Sequence, residues 1–295
     1  MTEPRLIDAF KSQRLTLSYA EWGDPDAPPL VLVHGGRDQK RSWDRVAGRL
    51  AQNYRVFAHD LRGHGQSDWV TDGDYGVMDH VYDLASLVEH LGLKTFTLLG
   101  HSLGGNITLR YTGLFPDKVE KLVAIEGLGP SPRMLAERQA LSVTERLSNW
   151  MEQRRNVSDR APRVMKDLDE AKGRMQAAFT HLPEDLVHHL TATGIKTNPD
   201  GTVSWAYDPA GMGRSPSDIS HEDFVELWRQ ITCPTWLVYG ATSWASNPEK
   251  DGRLEPFQKA SVSVIENAGH WLHHDQFEDF MSQLEAFLGS GDAAA

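Results

Sequence analysis

Apolar and polar positions follow two alternating periods along most of the chain. Short continuous apolar runs bounded by turn residues predict buried strands at Leu30–Val33, Arg55–Ala58, Thr95–Leu99, Leu122–Ile125, Thr235–Gly240 and Ser261–Ile265. Leu15–Ala20 alternates instead, with Leu15, Leu17 and Tyr19 on one face, and predicts a half-exposed strand. Between these runs the apolar spacing becomes helical. Helices are expected over Ser42–Leu50 with Ser42 as N-cap, over Met78–Leu91 stopped by Gly92, over Asn106–Phe115, and over Gln276–Leu288. Strands alternating with helices imply a parallel sheet with helices on both faces. Ligand chemistry in such a sheet belongs at the carboxyl ends of the strands. His34, Asp60, Ser102 and Glu126 all fall there.

The pattern changes from Ser131. Residues up to about Glu226 are charged, rich in arginine and poor in β-branched runs, and read as a helical insertion. Within it, Asn198-Pro199-Asp200-Gly201 makes a turn, and Thr202–Asp208 is a candidate extended piece lining a cleft. The expected division is a core of residues 1–130 and 230–290, an insertion over 131–229, and a flexible tail over 289–295.

Ser102 sits between the Thr95–Leu99 strand and the following helix, inside Gly100-His101-Ser102-Leu103-Gly104. A serine held in a strained conformation at so sharp a turn needs neighbours without side chains. Its hydroxyl would stand above the sheet at a helix start, where unpaired N–H groups and the dipole favour an anion. This stretch resembles the nucleophile elbow of the α/β-hydrolase superfamily. His34-Gly35-Gly36 resembles that superfamily's oxyanion loop, Asp60-Leu61-Arg62-Gly63-His64-Gly65-Gln66-Ser67 its loop after the fourth strand, and Ala268-Gly269-His270 its histidine loop. The resemblance covers nearly the whole chain. It implies the α/β-hydrolase fold, a mostly parallel sheet with helices on both faces and a helical cap inserted after the sixth strand, in a serine hydrolase or esterase branch.

The resemblance gives Ser102 the role of nucleophile and His270 that of its base, because imidazole titrates near neutrality and can return the proton to a leaving group. The oxyanion donors would be the backbone amides of Leu103 and Gly36, with Arg37 as the alternative to Gly36. The third member departs from the common pattern. The superfamily's usual acid falls here at Ser243, which cannot stabilise an imidazolium as a carboxylate does. Glu126, at the end of the sixth strand, is the favoured acid; Glu249 and Asp251 are the alternatives. Asp60 is expected to brace its loop. His101 reads as packing or cleft wall, and His273 and His274 as supporting or surface residues. Trp43, Trp205, Trp244 and Trp271 are candidates for an apolar acyl pocket. His188-His189 pairs with no convincing metal-ligand set, and neither a metal nor a cofactor is expected.

A formal net charge of −11 argues against nucleic acid and anionic membrane as partners. Cys233 is the only cysteine, so no internal disulfide can form. No signal-like apolar stretch opens the chain and no run matches a membrane span, so a cytoplasmic protein is expected. The expected activity is hydrolysis of a small or medium carboxylic ester through an acyl-enzyme. The alternatives are lactone, thioester or carbon–carbon cleavage on the same residues, or a ligand receptor with little turnover. Substrate identity and oligomeric state stay open.

Overall fold

The strands predicted from the apolar runs assemble, in the computed structural model, into one eight-stranded sheet of order β1-β2-β4-β3-β5-β6-β10-β11. The structure describes residues 1–71, 75–158, 161–212 and 218–289. The tail expected from residue 289 lies, beyond Gly289 itself, outside the described residues. In chain order the core strands are β1 (Leu6–Ser12), β2 (Leu15–Trp22), β3 (Pro29–Val33), β4 (Arg55–His59), β5 (Phe96–His101) and β6 (Val119–Ile125). After the insertion come β10 (Thr235–Gly240) and β11 (Ala260–Ile265). β1 and β2 pair antiparallel, as do β2 and β4; every other pairing is parallel.

Alternation along the strands decides which helix each face receives. Val31, Val33, Leu98, Leu122 and Leu237 point to one side, where α2 (Val77–His90) and α3 (Leu103–Leu114) pack on them. Leu30, Leu32, Leu99, Val123 and Val238 point to the other, against α1 (Asp44–Leu50) and α11 (Phe277–Gly289). Two-sided burial explains why these strands read as unbroken apolar runs.

The insertion contains α4 (Pro132–Gln139), α5 (Val143–Ser158), α6 (Leu168–Ala178) and α7 (Glu184–Gly194). It also holds a small antiparallel sheet of β7 (Val164–Met165), β8 (Ile195–Thr197) and β9 (Val203–Trp205); β9 falls within the extended piece expected over Thr202–Asp208, while β7 and β8 were not foreseen. Strands of two or three residues are too short to show a period. α8 (His221–Arg229) packs on α3 and puts Phe224 and Trp228 into the core beneath it. The short helices α9 (Pro248–Asp251) and α10 (Leu272–Asp275) follow β10 and the His270 loop.

Two local expectations change. β1 was not evident because Leu6–Ala9 is exposed and its sequence alternates weakly. Ser42 does not cap α1: a 3-10 turn, Lys40–Trp43, intervenes, and its cap is the Gln39 side chain, which accepts from the Arg41 amide. The Ser42 hydroxyl donates to the Gln39 carbonyl. No helix among the described residues is long and apolar enough to cross a membrane.

Candidate active site

β3 leads outward to β4 and β5 leads the opposite way to β6, so the carboxyl ends of β3 and β5 form a topological switch point. The residues singled out from the sequence gather there. Ser102 caps α3 with φ 53° and ψ −114°, a strained region for a non-glycine residue. Glycine is required on both flanks by close approach: a Cβ on Gly100 would lie 2.4 Å from the Gly104 carbonyl oxygen, and one on Gly104 would lie 2.2 Å from that of Val33. Arg37 and Glu126 also have positive φ, 62° and 50°. Backbone strain is therefore concentrated around this edge of the sheet.

The His270 loop reaches back from β11. The Ser102 hydroxyl and His270 Nε2 are 2.9 Å apart. His270 Nδ1 is bonded to Glu126 Oε2. Nδ1 therefore donates to the carboxylate and Nε2 is left to accept the serine proton. Glu126 is buried and receives two further donors: the Gly240 amide at 2.9 Å on Oε1, and the Ser243 hydroxyl at 2.7 Å on Oε2. The serine at the superfamily's usual acid position thus hydrogen-bonds to the carboxylate that meets His270. Parallel pairing makes this contact possible, since Ile125 faces Val238 in register and Glu126 lies beside the end of β10. Glu249 and Asp251 do not join the group. The Glu249 carboxylate accepts from the Asn247 side-chain amide, and Asp251 pairs with Arg253 and Ser246.

On the other side of Ser102, Leu103 opens α3 and its amide belongs to the unpaired first turn. Gly36 lines the same cavity, with open space where a Cβ would be. The Arg37 amide is already used, donating to His64 Nε2 at 3.1 Å. Two buried histidines staple these loops. The Leu61 amide donates to His34 Nε2, and His34 Nδ1 donates to the Gly35 carbonyl. His64 Nδ1 donates in turn to the Arg62 carbonyl. Burial holds both imidazoles below the ordinary value, so both stay neutral and keep their acceptor nitrogens. Asp60 braces the next loop, accepting from the Lys40 amide, the Lys40 ammonium and the Gln66 amide.

His101 was read as packing or cleft wall. Its Nε2 donates to the His270 carbonyl at 2.8 Å, and its ring lies 4.8 Å from that of His270 and 4.7 Å from that of His273. His101 therefore ties the elbow to the histidine loop. His273 and His274 are fully buried rather than on the surface. The tryptophans separate. Trp244 is 70 % exposed, lies over His270 and lines the main cavity. Trp205 and Trp271 line a smaller void against the insertion, and Trp43 is buried, stacked on His273. His189 contacts Asp44 and the Arg41 carbonyl. Among the described residues no group of three or more histidine, cysteine or acidic side chains is arranged to hold a metal ion.

Ser102, Gly36 and Leu103 open onto a cavity of about 360 Å³. Its walls include Met134, Leu135, Ile219 and Phe224. The buried cations on its lining are neutralised: Arg110 is bidentate to Asp218, and Arg253 pairs with Asp251. The cavity has the size and the mixed, mainly apolar lining of a small-molecule site.

Comparison with known proteins agrees with this architecture. The bifunctional esterase/perhydrolase DCH of Acinetobacter calcoaceticus is 28% identical over 282 residues, 91% of each chain. The sn-1-specific diacylglycerol lipase ABHD11 of Mus musculus is 27% identical over 276 residues, 90% of this chain and 82% of the mouse protein. The thioesterase domain from the curacin biosynthetic pathway superposes with a TM-score of 0.81 at 25% identity, covering 97% of this chain and 99% of that domain. Residues 28–277 match the family described by the alpha/beta hydrolase fold, and the chain belongs to that family.

Proposed function

We propose that the protein is a serine hydrolase that cleaves a small or medium carboxylic ester through an acyl-enzyme. The observation that carries this reading is the continuous hydrogen-bonded line from Ser102 Oγ through the His270 imidazole to the Glu126 carboxylate. Ser102 Oγ attacks the carbonyl carbon while His270 Nε2 takes its proton. Glu126 fixes the tautomer that leaves Nε2 free and stabilises the imidazolium that forms. The carbonyl electron pair moves onto oxygen, where the amides of Leu103 and Gly36 receive it. Collapse expels the alcohol, protonated by His270. Water then attacks the acyl-serine by the same route and releases the acid. The relatives named above as esterase, lipase and thioesterase support acyl transfer as the reaction class.

A ligand receptor with little turnover would fit a site without an acid for His270; the bond between Glu126 and His270 favours the hydrolase reading.

Steady-state assays on 4-nitrophenyl esters of increasing acyl length test the reading. Turnover is expected with short and medium acyl chains, falling once the chain outgrows the cavity. A folded protein with no turnover across the series would contradict it.

A further inference from the structure

α4 and α5 carry large apolar side chains that stay exposed among the described residues. Met134, Leu141, Val143, Leu147 and Met151 are 40–60 % exposed and lie close together in the chain. The main neighbour of α5 among the described residues is the 3-10 turn Pro209–Met212. Along α5, Val143, Leu147, Trp150 and Met151 recur at i, i+4, i+7 and i+8 and form one stripe. In helical projection Arg146 and Arg155 fall on either side of that stripe, Arg154 continues its line one turn beyond Met151, and Glu145 and Glu152 fall on the opposite face. Ser131–Ser158 carries five arginines against three glutamates in a chain whose net charge is −11. The whole-chain charge that argues against an acidic partner is therefore not the charge of this face. Met134, Leu135 and Arg138 of α4 also line the cavity that holds Ser102.

We propose that the α4–α5 face docks on an anionic lipid bilayer, with Val143, Leu147 and Met151 entering the interface and Arg146 and Arg155 reaching the headgroup phosphates. Arginines bordering and ending an apolar stripe, with acids turned away, are the pattern of a helix lying in a membrane interface. A second copy of the chain fits less well, because a twofold contact sets the same patch against itself and would bring the arginines of both copies together. The docking does not depend on the chemistry at Ser102. If that chemistry is as proposed above, docking through α4 brings the cavity that α4 lines close to an ester dissolved in the bilayer.

The test is co-sedimentation of the full chain with vesicles of phosphatidylcholine alone and of phosphatidylcholine mixed equally with phosphatidylglycerol. Partition into the anionic vesicles is expected to be about tenfold or more stronger at low salt and to weaken as salt rises, each arginine contributing about fivefold. The pair Arg146→Glu/Arg155→Glu should lose that preference. The pair Leu147→Glu/Met151→Glu should lose binding to both kinds of vesicle. Both variants should hydrolyse a water-soluble 4-nitrophenyl ester within about twofold of the parent rate, as expected for surface substitutions away from the cavity. Equal partition into neutral and anionic vesicles would overturn the proposal, as would undiminished binding by Leu147→Glu/Met151→Glu. A dimer in solution that the same pair dissociates would assign the face to a second copy and overturn it equally.

Discussion

Glu126→Gln is expected to lower kcat for ester hydrolysis by about 10³- to 10⁴-fold with little change in KM. The substitution keeps the side chain's volume, so the loss isolates its charge and hydrogen-bonding sense. In the parent, Oε1 accepts from the Gly240 amide and Oε2 accepts from both Ser243 and His270. A glutamine offers one oxygen and one NH₂. If the oxygen faces Gly240, the NH₂ opposes His270 Nδ1–H, and the ring is driven to the tautomer whose Nε2 is protonated and unable to accept from Ser102. If the amide turns over, the NH₂ opposes the Gly240 N–H instead. In both arrangements the imidazolium formed during attack lacks its counter-charge. Glu249→Gln is the matched comparison, since that side chain is exposed and bonded only within its own turn. Its turnover should stay within about twofold of the parent, as for an ordinary surface site. Equal losses in the two variants, or none in Glu126→Gln, would remove the acid from Glu126.

The second large effect is on stability. His34, His59, His64, His80, His101, His273 and His274 are all buried with depressed pKa values, burial being the largest cause in each. His59 is pushed down to about 4 and His274 to about 3. Both ring nitrogens of His59, His273 and His274 lack a hydrogen-bond partner among the described residues, and at His59 burial outweighs the opposing pull of the Asp60 carboxylate. Unfolded histidine titrates near 6.5. Above that pH neither state binds the proton and these groups contribute nothing to the slope. Below it the unfolded chain takes up protons that the folded chain refuses, and stability falls with pH until each folded pKa is reached. Asp38, raised to about 7 by burial, and Asp83, also raised by burial, act in the opposite sense. They bind protons in the folded state first and so offset part of that loss. Each net proton taken up on unfolding steepens the loss by about 1.4 kcal/mol per pH unit, and the depressed histidines outnumber the raised carboxyls. A few such protons are significant against the roughly 5–15 kcal/mol by which a typical domain is stable. Urea unfolding at a series of pH values should therefore show a steep loss from about pH 6.5 downward. A stability that stays level between neutrality and pH 5 would contradict the buried neutral histidines.

The sequence displayed the sheet and its functional edge because each signal is local. Interior strands betray themselves by unbroken apolar runs, and Gly100 and Gly104 mark the elbow by their spacing around Ser102. The start of α3 was placed too late, at Asn106 instead of Leu103, because Gly104 and Gly105 dilute the helical pattern in its first turn. Both glycines serve packing: a Cβ on Gly105 would lie 2.7 Å from the Gly127 Cα, where the turn after β6 crosses the helix start. The partnership of Ser243 with Glu126 was not legible. Those residues are 117 positions apart and meet only because β6 and β10 are neighbours in the sheet. Ser243 showed only that the usual acid was absent; the compensating hydrogen bond depends on strand order. The buried histidines were hidden for a related reason. A polar residue in an apolar segment gives no sign of which way it faces, and His273 and His274 follow His270 on a short helix that turns inward over Trp43 and Phe280. The insertion's arginines registered as composition, while their arrangement around an apolar stripe emerges only once α5 is known to be a helix open to solvent.

The central claim is that Ser102 is a nucleophile activated by His270. It is tested most directly by treating the folded protein with a fluorophosphonate, measuring intact mass and mapping the adduct by peptide sequencing. The account predicts one phosphonyl group per chain, located on Ser102 and absent from Ser102→Ala. A folded protein that gains no adduct, or gains one on another side chain while Ser102 stays unmodified, would contradict it.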